Sequence, residues 1–146
     1  MAQSLVELLP PKVKVWFAHA VAGLITADGV VTESELVFLR ETINFLENVD
    51  EINQVVGEVK NKERPVLQTI NTDSNTAAMI LIHLASIAIA DGSIDQAEVD
   101  YFKYVGKKLG FDPAYSEEIL QWGKDSIMLE KRKKGLVKRA KKNKIF

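Results

Sequence analysis

The chain has 146 residues, 47% of them hydrophobic and 27% charged, the size and composition of one globular domain with a sizeable core. With no cysteine it excludes disulfides, thiolate zinc sites, iron–sulfur clusters and cysteine nucleophiles. The net charge of −1 divides unevenly: residues 130–146 hold nine Lys or Arg and one acid, and the other 129 residues carry −9, so an acidic body bears a basic tail of +8.

The pattern along the chain is helical throughout. Two prolines suit a helix start near Pro11, and the apolar run from there continues to about Ala27. A second helix is expected over about 33–47, a third over about 50–60, and a short one after Pro65. Beyond the polar stretch Asn71 to Asn75, helices are expected near 75–90, 96–109 and 113–129, the last opened by Asp112 as N-cap and Pro113 in the first turn. The longest apolar runs, 13–27 and 77–90, fall short of the roughly 20 residues that span a bilayer. The opening MAQSLVELLPPKVK has no signal-peptide pattern, so a soluble cytoplasmic protein is expected.

The second half repeats the first at an offset of 63. ADGVVTESELVFL (27–39) aligns without gaps on ADGSIDQAEVDYF (90–102). Leu36, Leu39, Ile43 and Leu46 form a helical stripe that returns as Val99, Phe102, Gly106 and Leu109. Val49, Ile52, Val56 and Val59 fall on Asp112, Tyr115, Ile119 and Trp122. The expected fold is all-α, with about seven helices in two similar halves (about 16–59 and 79–122) packed about a pseudo-two-fold axis. Residues 1–129 would form the domain and 130–146 the tail. The helices over 13–27 and 77–90, apolar on nearly all sides, should be its central pair.

The repeated joint has the pattern A-D-G-x-[VI]-[TD]-x-x-E. Much of it is helix-end chemistry. Thr32 with Glu35, and Asp95 with Glu98, fit a capping box; Gly29 and Gly92 suit a left-handed turn after a helix; Val31 and Ile94 take the staple position. Asp28 and Asp91 are explained less well, because an acid in the last turn of a helix faces the negative end of its dipole. DGSIDQAE reproduces the second half of an EF-hand loop, but Ile87 and Ile89, or Leu24 and Thr26, stand where that loop needs its first oxygen ligands, so two EF-hands are rejected. A shared site stays open, with Asp28, Glu35, Asp91 and Glu98 brought together between the halves. It requires the two central helices to meet near their C-terminal ends. Antiparallel along their full length, they would hold the joints about 20 Å apart. An all-oxygen donor set favours Ca²⁺, Mg²⁺ or Mn²⁺.

Two long apolar helices, each ending in an acidic DG joint followed by a capping segment, resemble the TerB-like family of tellurite-resistance proteins over roughly residues 12–125. The resemblance implies a seven-helix, two-halved fold and no enzymatic activity. It also implies an association with metal-ion and oxidant stress responses alongside membrane and cytoplasmic partner proteins. It places a divalent cation at Asp28, Glu35, Asp91, Asp95 and Glu98, with one carboxylate fewer in the first joint, where Thr32 stands opposite Asp95.

The tail can be a solvated segment, or it can contact anionic lipid or nucleic acid, or fold back on the acidic body. Leu129, Leu136, Val137 and Ala140 give it a loose apolar face, and Phe146 is its one aromatic. His19 and His83 are expected as buried or boundary histidines with backbone partners, and Trp16 and Trp122 as core. No Gly-x-Ser-x-Gly elbow, Walker loop, Gly-x-Gly-x-x-Gly or His-Glu-x-x-His is present, so neither catalysis nor a small-molecule substrate is expected.

Overall fold

A computed structural model describes residues 6–63, 66–90 and 94–146. Among these residues all regular structure is helical: a 3₁₀ turn over Val6–Leu8, then six α-helices. They are α1 (Pro11–Ile25), α2 (Glu33–Thr42), α3 (Val49–Lys60), α4 (Ser74–Ala88), α5 (Gln96–Lys108) and α6 (Pro113–Asn143).

Each helix begins where the sequence supplies a cap. Thr32, Asn48, Asp73, Asp95 and Asp112 each accept a backbone N–H of the first turn with a side-chain oxygen, and α1 opens on Pro10 and Pro11. The starts of α1 and α2 recur 63 residues later in α4 and α5.

Burial follows the helical stripes. Leu39, Ile43 and Leu46 are buried, and so are Phe102, Gly106 and Leu109 at the matching positions. The apolar helices α1 and α4 pack against each other, as expected of a central pair; α2, α3 and α5 also pack on α1, and α5 and α6 on α4. Three glycines set how closely these helices approach. Gly23 in α1 lies under the Tyr101 ring of α5, Gly106 in α5 against the Ser116 hydroxyl of α6, and Gly123 in α6 against Ile89 at the end of α4.

The structure corrects several expectations. There are six α-helices among the described residues rather than seven, because 66–73 is not helical. The backbone there is bonded to other elements: Trp16 Nε1 donates to Gln68 O at 2.8 Å, Leu67 N to the Tyr104 hydroxyl at 3.1 Å, and Ile70 N to Lys108 O at 2.9 Å. Pro65 itself lies outside the described residues. The second helix stops at Thr42, five residues early, as Ile43 and Leu46 turn into the core. Trp122 is exposed, because α6 meets α4 through the small Gly123 beside it. The last helix runs 14 residues past position 129, through a segment rich in the strong helix formers Lys, Arg, Leu and Ala.

Candidate cation cleft at the paired helix joints

Each joint is built by helix ends. α1 stops at Thr26, whose hydroxyl and N–H both donate to Ala22 O. Gly29 takes φ +81°, a left-handed turn that suits glycine, and its N–H donates to Thr26 O at 2.9 Å. Asp28 therefore lies beyond the helix, not in its last turn. Its Oδ1 accepts the Val30 N–H at 3.0 Å, a short Asx turn that accounts for an acid there. Thr32 then caps α2. Its hydroxyl accepts the Glu35 N–H at 3.1 Å and donates to Glu35 Oε1 at 3.0 Å, a variant of the expected box in which the glutamate meets the cap's side chain. The second joint forms the complete box: Glu98 N–H donates to Asp95 Oδ1 at 2.8 Å, and Asp95 N–H to Glu98 Oε1 at 3.3 Å. Val31 and Ile94 pack half-buried against the core. Asp91 and Gly92 lie outside the described residues.

The two joints open onto one cleft of about 700 Å³. Leu24 and Ile25 from the end of α1, and Ile87 and Ala88 from the end of α4, form its apolar floor. The central helices thus meet near their C-terminal ends, the condition a shared site requires. Asp28, Glu35, Asp95 and Glu98 line the same cleft, so four of the five candidate residues border one space. Among the described lining residues none is Lys, Arg or His. Two helix C-termini and two N-termini face the space, so their dipoles offset one another and the carboxylates decide its sign. The cleft is negative. Among the described residues, no three His, Asp or Glu side chains stand close enough to enclose one ion.

A family model described as tellurite resistance protein TerB matches residues 17–121, a span that takes in both joints. The chain belongs to the TerB family. No curated protein and no solved structure matches it significantly. The family assignment brings an all-α fold with it, in agreement with the six helices. Among the described residues of this TerB chain, no helix is long and apolar enough to cross a membrane.

The TerB domain has a second cavity that the sequence did not announce. It measures about 730 Å³ and is bordered by α1, α3 and residues 66–70. His19 and Glu58 meet at its edge, Nε2 to Oε2 at 3.0 Å, so the partner of His19 is a carboxylate and not the expected backbone group. The pair spans 39 residues, and no local spacing points to it. His83 lies half-buried in α4 with its ring against Phe17, 5.6 Å between centroids.

Proposed function

We propose that this TerB-family chain is a non-catalytic cytoplasmic domain that holds a divalent cation in the cleft between its acidic joints and reports that state to partner proteins of a metal or oxidant stress response. The observation that supports the reading is the cleft itself, which four carboxylates from two distant stretches of chain line, too far apart to enclose an ion directly, with no basic side chain among the described lining residues. The donors are hard oxygens, which fit Ca²⁺, Mg²⁺ or Mn²⁺ and not a soft metal.

Capping and cation binding are compatible, because an ionised carboxylate has two oxygens and about four acceptor sites. Asp28, Glu35, Asp95 and Glu98 would hold the ion in part through water, as Mg²⁺ usually is held. Asp91, outside the described residues, follows Ala90 of the cleft lining and belongs to the same proposed set.

An ion there would tie the start of α2 to the start of α5. Phe38 and Ile94, which also line the cleft, would then present a changed surface to a partner. We also read the two halves as copies of one unit about a pseudo-two-fold axis. The recurrence of helix starts and of buried positions at an offset of 63 supports that reading.

The test is thermal unfolding with EDTA and with excess Ca²⁺, Mg²⁺ or Mn²⁺. Asp28→Asn, Glu35→Gln and Glu98→Gln each remove a charge while keeping the oxygen that accepts the local hydrogen bond, so the triple variant should fold. A cation at about 100 times its Kd adds roughly 2.7 kcal/mol, a rise of several degrees in Tm. The wild type should show that rise and the variant should not. No rise in the wild type at millimolar cation, or an equal rise in the variant, overturns the reading.

A further inference from the structure

We propose that the exposed second half of α6 is an amphipathic anchor that lays the protein on an anionic membrane surface. The proposal does not depend on the cation reading. α6 is 31 residues long, and its buried residues, Ser116, Ile119, Leu120 and Gly123, all lie in its first half. From Met128 to Asn143 every residue but the half-buried Gly135 is exposed, so about 24 Å of helix runs free of the core.

The free helix has two distinct faces. Trp122, Leu129 and Leu136 are spaced by seven and drift only about 20° per step, so they form one stripe, 49%, 65% and 56% exposed. Val137 and Ala140 widen it. Lys124, Lys131 and Lys138 are spaced by seven as well, each two positions after a stripe residue, which sets them about 200° round the helix. Lys142 continues that basic ridge. Lys133 lies within the stripe, where its long stem can cover apolar surface and carry the charge outward. Met128 falls off the stripe.

The buried face of α6 is turned about 110° from the stripe, so the helix can lie flat on a surface with the domain beside it. The free helix is also about three Debye lengths long at physiological salt, so its charge is not cancelled by the acidic body. A positive helix with an aromatic and aliphatic stripe complements a surface that is negative outside and apolar beneath. The stripe has no use on a nucleic acid backbone, and a second copy of the helix would bring like charges together.

The experiment is co-sedimentation of the full chain with phosphatidylcholine vesicles, with and without phosphatidylserine, read alongside tryptophan emission. Trp16 is buried and bonded to Gln68, so a blue shift reports Trp122. Binding should require phosphatidylserine, weaken with salt and shift Trp122 to the blue. Leu129→Ser/Leu136→Ser and Arg132→Glu/Arg139→Glu, the arginines each three positions after a stripe leucine and so about 60° from the stripe, are all at exposed sites that spare the fold and should each weaken binding by roughly tenfold or more. No binding to phosphatidylserine vesicles overturns the proposal. So does binding that the leucine pair does not affect, with duplex DNA held equally well, which would make the helix a general polyanion contact. Concentration-dependent self-association abolished by the leucine pair, without vesicle binding, would assign the stripe to a second copy and overturn it as well.

Discussion

At His83, an imidazole in an apolar helix has only partial access to water. Burial disfavours its charged form and holds its pKa below the usual 6.5. Between the folded and unfolded pKa values the unfolded chain binds more protons, so stability rises with pH across that window. The contribution is complete above about pH 6.5 and is lost as the pH falls toward the folded value. Tm followed downward from about pH 7.5 should fall, and His83→Gln should flatten that dependence. A slope unchanged in the variant would place the titration elsewhere. The neighbouring joints show the limit of reading single residues. The caps Thr32 and Asp95 were legible because each bonds three positions away. Asp28 was not, since its place depends on α1 ending at Thr26 rather than at Ala27.

Between elements, the close approach of α1 and α5 rests on Gly23. A Cβ there would meet the ring and hydroxyl of Tyr101, which packs against the core and has little room to swing away. Gly23→Ala should therefore cost about 1–3 kcal/mol by overpacking. Gly135→Ala, in open space on the free part of α6, should leave the core unchanged and raise helicity. Denaturant unfolding and circular dichroism of the two variants check both outcomes, and equal stability of Gly23→Ala and wild type would deny the close contact. Apolar periodicity made the helices legible, because their stripes are local. Residues 66–70 were not legible, since the bonds of Leu67, Gln68 and Ile70 go to Tyr104, Trp16 and Lys108, far away in sequence. Trp122 was misplaced for a similar reason: its own stripe marks it as apolar, but Gly123 decides which side of α6 faces α4. The two joints were legible as motifs, whereas their meeting in one cleft depends on how α1 and α4 cross.

For the whole molecule, charge and burial divide at nearly the same place. The core draws on residues up to Leu120, with Gly123 its last buried contact, whereas the net +8 lies at 130–146. No residue of that segment is buried, so removing it takes away no core contact. A chain ending at residue 129 should keep its Tm to within about 1 °C, since exposed positions contribute little. Its net charge would become −9, and the cation response proposed for the cleft should remain because the joints are intact. Vesicle binding would be lost. A large fall in Tm would instead mean that the basic helix folds back on the acidic body in solution, and raising the salt would then destabilise the full chain by screening that contact. Unfolding of both lengths at low and high salt separates the two cases: a free helix leaves the difference in Tm near zero at either salt, while a folded-back helix makes the difference large at low salt and small at high salt.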